Sequence, residues 1–181
     1  GLNIEVHKYP FAGKDNPRVK LAVVNLEGIV NWLDISKYEY LARFSWLSDN
    51  TLVSQCQNRE QTNLDLIYFS KDFSTYSVIL TEYSNSWINI KDIFKPLPNG
   101  NFVWGSERSG FNHLYMYSLY DNSNYQITKG NWQVDSIVGI DQYKEIIYFS
   151  ANKDSDIGKN IFSIKFNGES ISKISSSNGT E

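Results

Sequence analysis

Asn101-Phe-Val-Trp-Gly-Ser106 and His113-Leu-Tyr-Met-Tyr-Ser-Leu119 are two short apolar and aromatic runs, and the polar segment Glu107–Asn112 separates them. Aromatic and β-branched residues favour strands, whereas Gly, Asn and Ser favour turns. Two such runs joined by a short segment that contains glycine are typical of a β-hairpin. This stretch therefore predicts a pair of antiparallel strands.

A pattern of four short apolar runs, separated by clusters of Asn, Asp, Gly and Ser, occurs three times along the chain. The third run of each unit begins near Leu66, Leu114 and Ile161, at spacings of 48 and 47 residues. A four-stranded unit that repeats every ~40–50 residues is typical of a β-propeller blade. We therefore expect an all-β fold, a β-propeller fragment with about three complete four-stranded antiparallel blades plus part of another. The expected division is the remainder of a preceding blade at 1–39 and blades at 40–87, 88–131 and 132–181.

Three or four blades are at the low end of what closes a propeller ring. We therefore expect an arc of a larger ring rather than a closed ring. Blades bury their faces against their neighbours, and stacked repeats depend on those interfaces for solubility. The fragment by itself is accordingly expected to self-associate through its open faces.

The composition excludes several classes of protein. The chain has 181 residues, of which 15% are aromatic, and a net charge of −3, which removes any case from composition for nucleic acid or an anionic membrane as partner. No apolar run approaches the ~20 residues of a membrane span. Cys56 is the only cysteine, so no internal disulfide can form.

Several segments together resemble the propeller domain of the dipeptidyl peptidase IV family. The resemblance covers nearly the whole chain in order and is strongest over Trp104–Tyr117. The other matching segments are Tyr9–Gly13 with Asn16-Pro17, Val19–Asn25, Tyr40–Arg43 with Trp46, Leu64–Leu66, Thr81-Glu82 before Trp87–Asn89, and Thr128–Gly130 before Trp132–Val134.

The resemblance implies a large serine-type peptidase with an N-terminal propeller of about eight blades and a C-terminal α/β-hydrolase domain. Such enzymes perform proteolysis by removing X-Pro or X-Ala dipeptides from peptide N-termini. This chain resembles the later blades, acting as substrate gate and scaffold, so its implied partners are the peptide substrate and the hydrolase domain. No cofactor and no membrane contact of this segment are implied. Family members occur in several compartments, and the low cysteine content favours a periplasmic or secreted protein.

The sequence contains no recognisable peptidase machinery of its own. The Gly-x-Ser-x-Gly nucleophile elbow is absent, and His7 and His113 are the only histidines. Both histidines are in extended runs and are expected to be structural. The resemblance also implies a neighbouring pair of glutamates that binds the substrate ammonium, and this chain has no Glu-Glu pair. We therefore expect no catalytic residue in this fragment and no activity from it alone.

Substrate-binding candidates come from the segment after Trp87. The first strand of a blade lines the central channel, and the resemblance places residues near this segment at the border of the substrate cavity. Asn89, Lys91 and Asp92 are therefore the candidates. The adjacent pair Glu107-Arg108 has two interpretations: a contact to substrate or to the hydrolase domain, or a structural ion pair between blades, which we favour.

Two further patterns have structural interpretations. Asp154 and Asp156 precede Gly158 in the manner of a calcium loop, but a third acidic ligand is missing, so a solvated turn and no metal site are expected. The tryptophans near first and second strands are expected to pack between blades rather than form a stacking platform. They are Trp46, Trp87, Trp104 and Trp132.

Two other classes of function remain open at this stage. One is a free-standing binding propeller that resembles TolB-type scaffolds and has no enzymatic domain. The other is a glycosidic propeller, which would need paired channel carboxylates that cannot be assigned here. Sequence downstream in the parent gene, with a Gly-x-Ser-x-Gly elbow followed by Asp and His, would distinguish the peptidase from the binding propeller.

Overall fold

The computed structural model describes residues 13–90 and 92–176, and within these ranges every regular element except one is a β-strand. The exception is a 3-10 turn at Pro98–Gly100. No helix in the described part of the chain has the length and apolar character needed to cross a bilayer. His7 lies outside the described residues, so its predicted structural role stays a prediction.

Sheet 1 is a two-stranded antiparallel hairpin made of β1 (Leu21–Val24) and β2 (Val30–Leu33). Its turn depends on Asn25, whose side-chain Oδ1 accepts hydrogen bonds from the backbone N–H groups of Glu27 and Ile29. Such side-chain to backbone bonds are the reason that Asn favours turns.

Sheet 2 is a four-stranded antiparallel meander in which each strand pairs with the next along the chain. Its strands are β3 (Tyr40–Trp46), β4 (Leu52–Gln57), β5 (Asn63–Phe69) and β6 (Tyr76–Tyr83). All six residues of β4 are buried. A central strand that is covered on both faces buries successive residues, instead of alternating between buried and exposed ones.

Sheet 3 repeats this topology with β7 (Phe94–Pro96), β8 (Asn101–Ser106), β9 (His113–Ser118) and β10 (Asn124–Gln126). The hairpin predicted from residues 101–119 is present as β8 and β9, which pair in register from Asn101 with Ser118 to Ser106 with His113.

Sheet 4 is the third meander, with strands β11 (Val134–Asp141), β12 (Ile146–Ala151), β13 (Asn160–Lys165) and β14 (Ser172–Lys173). Together with sheets 2 and 3 it confirms the predicted all-β fold of three four-stranded antiparallel sheets plus part of another. The sheets stack and do not close into a barrel.

Apolar cores between consecutive sheets hold the stack together. Sheets 1 and 2 meet through Leu33 and Cys56, sheets 2 and 3 through Leu66 and Phe102, and other residues join each core. The third core, between sheets 3 and 4, contains Val103, Leu114, Met116, Val134, Ile147, Phe149 and Phe162. Since successive strand residues point to opposite faces, Phe102 enters one core and its neighbour Val103 enters the next.

The tryptophans only partly follow the prediction that they pack between sheets. Trp104 and Trp132 are buried in such cores. Trp46 and Trp87 are 48% and 64% exposed, so for these two the prediction is wrong in this chain. Trp46 lies edge-on to Phe73 within its own sheet.

Candidate functional site

A cleft of about 100 Å³ opens between sheets 2 and 3, and we call it the 2/3 cleft. The end of β6, the connection from β6 to β7, and the start of the β8–β9 hairpin loop form its walls. Its lining residues are Gln55, Leu64, Glu82–Ser84, Trp87–Ile90 and Trp104–Arg108. The β8–β9 loop and the β6–β7 connection converge here because they begin at the same end of two adjacent sheets.

Glu82 is the buried carboxylate of the 2/3 cleft and joins the two sheets. It is on β6, and its carboxylate accepts hydrogen bonds from Trp104 Nε1 and Ser106 Oγ on β8, each at 2.9 Å. Hydrogen bonds to a charged acceptor are among the stronger ones in proteins. Sequence reasoning quoted Glu82 only for the family resemblance. The sequence did contain an indication, because Glu82 is a charged residue within a strand-like run and charged residues are rarely buried.

Two glutamines on β4 contribute buried amides close to Glu82. Gln57 pairs with Leu64, and Leu64 pairs with Glu82, so these three residues share one face of sheet 2. Gln55 lies two residues earlier on the same face and lines the cleft. Gln55 Oε1 and Gln57 Nε2 are buried and have no hydrogen-bond partner among the described residues. Sequence reasoning identified neither glutamine as functional.

Arg108 is held on its own sheet by two tyrosines of β9. Its guanidinium carbon lies 3.7 Å from the centre of the Tyr115 ring, and Nη1 donates a hydrogen bond of 2.6 Å to the Tyr117 hydroxyl. Burial raises the pKa of Tyr117, so this hydroxyl is neutral at physiological pH and able to accept the bond. Both contacts remain within sheet 3, but the charge of Glu82 on sheet 2 also favours the charged form of Arg108, so the structural ion pair between blades that we favoured stays a prediction.

Glu107 and Asn89 meet at the mouth of the cleft. Asn89 Nδ2 donates a hydrogen bond of 2.9 Å to Glu107 Oε2, and Trp87 Nε1 donates one of 3.2 Å to Asn89 Oδ1. These contacts tie the connection between sheets 2 and 3 to the β8–β9 loop. The structure thus brings the predicted candidate Asn89 together with Glu107 and Arg108.

The other two predicted substrate-binding candidates are placed differently. Lys91 lies outside the described residues. Asp92 is exposed, and its Oδ1 accepts a hydrogen bond of 3.0 Å from Arg43 Nε on β3. Asp92 is not among the described residues that line the 2/3 cleft.

His113 is buried at the start of β9 and has a structural environment. Nε2 is 3.0 Å from the carbonyl oxygen of Gly130, which can only accept, so Nε2 carries the proton. Nδ1 then accepts from Thr128 Oγ1 at 3.0 Å, and this oxygen accepts from the backbone N–H of Leu114. Burial lowers the pKa of His113, which keeps the ring neutral, although the bond to Gly130 opposes this shift.

Asp154, in the turn whose sequence resembles a calcium loop, pairs with two lysines. Asp154 Oδ1 and Oδ2 lie 3.7 and 3.8 Å from Lys153 Nζ and Lys173 Nζ, respectively. Within residues 13–90 and 92–176 no group of three or more His, Cys, Asp or Glu side chains could hold a metal ion.

Comparison with known proteins places the chain in one family. Residues 3–181 match the family model described as the dipeptidyl peptidase IV (DPP IV) N-terminal region. The chain is 28% identical to inactive dipeptidyl peptidase 10 of Mus musculus, over 90% of this chain and 23% of that protein. It is 29% identical to dipeptidyl aminopeptidase A of Saccharomyces cerevisiae, over 87% of this chain and 19% of that protein.

Solved structures of similar proteins have the same arrangement of sheets. The crystal structure of Porphyromonas gingivalis dipeptidyl peptidase 4 superposes with a TM-score of 0.86 at 26% identity, over 96% of this chain and 25% of that chain. A putative dipeptidyl aminopeptidase IV from Bacteroides ovatus gives a TM-score of 0.77 at 23% identity, over 91% of this chain and 27% of that chain. The chain thus spans about a quarter of the length of the relatives that it matches. It belongs to the dipeptidyl peptidase IV N-terminal region family.

Proposed function

We propose that this chain is a noncatalytic β-propeller portion of a dipeptidyl-peptidase-IV-like serine exopeptidase. In the full-length enzyme it acts as scaffold for an α/β-hydrolase domain and as part of the gate through which peptides reach the active site. The reaction proposed for the full-length enzyme is the release of X-Pro or X-Ala dipeptides from peptide N-termini. We also propose that its blades comprise residues 40–87, 88–131 and 132–181, and that residues 1–39 complete a preceding blade.

The observation that carries this proposal is the family match over residues 3–181 together with the stack of sheets. Consecutive sheets share apolar cores, which supports a role of the stack as a scaffold for a second domain. Polar groups collect where the connection between sheets 2 and 3 meets the β8–β9 loop. Loops at one edge of a rigid scaffold are the usual location of ligand contacts.

Binding without catalysis is the second candidate function. One relative at 28% identity is named as inactive, so membership of the family does not require peptidase activity. In this case the full-length protein has a propeller that binds a partner, as a TolB-like scaffold would. The two candidates differ in whether dipeptides are released.

The test is the hydrolysis of Gly-Pro-p-nitroanilide and Ala-Pro-p-nitroanilide by the full-length protein that contains this chain. We expect release of p-nitroaniline by the full-length protein and none by the 181-residue chain alone. A full-length protein that is folded but inactive on both substrates would favour the binding candidate. Turnover by the isolated chain that disappears in Ser106→Ala or Ser109→Ala would overturn the proposal that this portion is noncatalytic.

A further inference from the structure

We propose that the 2/3 cleft binds a small organic cation with N–H donors, namely a guanidinium or primary ammonium group, through Glu82 and Gln55. This inference concerns binding alone and does not depend on the proposed peptidase activity. It rests on the hydrogen-bonding capacity, burial, charge and size of the cleft.

Glu82 has unused capacity to accept hydrogen bonds. An ionised carboxylate accepts about four hydrogen bonds, and two neutral donors, Trp104 Nε1 and Ser106 Oγ, supply two of them. Glu82 is only 8% exposed, and no ion pair to it exists among the described residues. Arg108 acts on Glu82 electrostatically, but no hydrogen bond joins the two side chains among the described residues. A further cation with N–H donors next to this buried carboxylate would therefore be stabilising.

Gln55 supplies a second and independent indication of a ligand. Its side chain lines the same cleft, the residue is only 5% exposed, and no donor in the described part of the chain reaches its Oε1. Buried acceptors are nearly always paired in folded proteins, so an acceptor without a donor needs an explanation. An N–H group of a ligand between Gln55 and Glu82 would satisfy both oxygens.

The charge of the cleft favours a cation over an anion. The buried charge in its lining is the carboxylate of Glu82, and the guanidinium of Arg108 lies at the exposed side. The Arg108 guanidinium is already stacked on Tyr115 and donates to Tyr117, so it is positioned by sheet 3. An anion would face the buried carboxylate of Glu82 directly.

The size and the aromatic lining suit a planar group. The cleft volume of about 100 Å³ is several times the ~10–15 Å³ that one water molecule needs on the same measure, so a group larger than water fits. Trp87 and Trp104 are also in the lining, and aromatic faces attract cations. Ordered water is the competing occupant, and the experiment below distinguishes it from a cation.

The test is isothermal titration calorimetry of the full-length protein with methylguanidinium chloride at constant ionic strength. We expect saturable binding of methylguanidinium. Tetramethylammonium, which has the charge but no N–H donors, and urea, which has the donors but no charge, should bind at least tenfold more weakly. Absence of saturable binding, or equal binding of tetramethylammonium, would overturn the proposal and leave water as the occupant.

Two pairs of variants locate the binding in this cleft. Gln55→Leu removes the unpartnered oxygen at similar volume, and Glu82→Gln removes the charge. Each should weaken methylguanidinium binding at least fivefold. The matched controls, Gln133→Leu and Glu60→Gln, change exposed residues outside the cleft and should bind within twofold of the parent protein. Unchanged binding by a folded Gln55→Leu variant contradicts the inference even if Glu82→Gln fails to fold.

A further titration distinguishes the two sources of such a group. Nα-acetylarginine amide carries the guanidinium as a peptide side chain does. If it binds at least as tightly as methylguanidinium and is equally sensitive to Gln55→Leu, the ligand is a basic peptide side chain. If only methylguanidinium binds, the ligand is a free small cation.

Discussion

At the scale of single residues, His113 illustrates how burial sets a protonation state. Its two ring nitrogens are used by Gly130 and Thr128, and burial lowers its pKa from the ordinary value of 6.5. If Nδ1 were protonated, it would become a donor, and the hydroxyl of Thr128 would lose its hydrogen-bond acceptor. Protonation therefore opposes the folded state.

We expect His113 to make the stability of the chain depend on pH. Because its pKa is lower in the folded than in the unfolded state, the unfolded state binds the proton first as the pH falls below about 6.5. The stability linked to His113 is complete above this pH and decreases as the pH falls toward the folded-state pKa. Thermal unfolding of the parent and of His113→Gln at pH 7.5 and pH 5.5 measures this effect.

The parent protein should lose more stability between these two pH values than His113→Gln, which does not titrate there. Carboxylates also titrate over this range, but they affect both proteins equally. Equal losses in the two proteins would show that His113 does not respond to pH in this way.

Glu82 is the second residue whose chemistry can be isolated. Glu82→Gln keeps one carbonyl oxygen, so only one of the two donors, Trp104 Nε1 and Ser106 Oγ, retains an acceptor. A buried donor without an acceptor costs about 1–3 kcal/mol, and we expect a loss of this size in the free energy of unfolding. Urea unfolding measures the loss.

The control for this measurement is Glu60→Gln, which makes the same change at an exposed residue. We expect it to alter the free energy of unfolding by less than ~0.5 kcal/mol, as is usual for surface substitutions. If Glu82→Gln and Glu60→Gln unfold at the same urea concentration, the hydrogen bonds of Glu82 do not stabilise the packing of sheets 2 and 3.

At the scale of elements, the central strands of sheets 2 and 3 are buried because each contributes to two cores. On β8, Phe102 and Trp104 pack toward sheet 2, while Val103 packs toward sheet 4. Gly105, between Trp104 and Ser106, leaves room for the connection from β6 to β7. The backbone N–H of Gly105 donates a hydrogen bond of 2.9 Å to the carbonyl oxygen of Ile93 in that connection. A small residue at this position thus determines how closely the connection approaches the sheet.

We expect Gly105→Ala to destabilise the stack. A Cβ at residue 105 would lie 2.7 Å from Ile93 Cβ, which is closer than two non-bonded carbon atoms approach in proteins. Overpacking of this kind typically costs about 1–3 kcal/mol. Gly139→Ala on β11 is the control because a Cβ there meets nothing within 4 Å. A Gly105→Ala variant as stable as Gly139→Ala in thermal unfolding would contradict this account.

At the scale of the whole molecule, the first sheet presents apolar side chains to solvent. Trp32 is 66% exposed, and Leu26 in the turn is fully exposed. Val24, Ile29 and Val30 of the same hairpin are also exposed. Burial of apolar surface contributes about 25 cal/mol per Å², so covering these side chains favours association.

We therefore propose that the 181-residue chain by itself self-associates through sheet 1. Size-exclusion chromatography with light scattering across a dilution series should give masses above the 20.9 kDa of one chain at high concentration. Trp32→Lys should shift the equilibrium toward the monomer, while Tyr120→Lys, at an exposed turn of sheet 3, should not. A monomer at every concentration would overturn this proposal.

The strands and hairpin loops of this protein were predictable from its sequence. Apolar runs alternate with clusters of turn-forming residues, and this pattern is local, so β8, β9 and their loop could be located from residues 101–119 alone. The spacing of the third runs likewise predicted three successive sheets of equal topology. Asn89 was predicted as a site residue from its position after Trp87, but not its contact with Glu107.

The contacts between sheets were decided only by the tertiary structure. Glu82 and Ser106 are 24 residues apart, and they meet because two sheets stack with a particular offset, which no local pattern encodes. The same packing places Gln55 beside the cleft that Arg108 also lines. Strand periodicity determines which face a side chain occupies, whereas the partner on that face depends on how the sheets pack. The sequence by itself therefore determined the strands of the blades, and only their packing determined the candidate site.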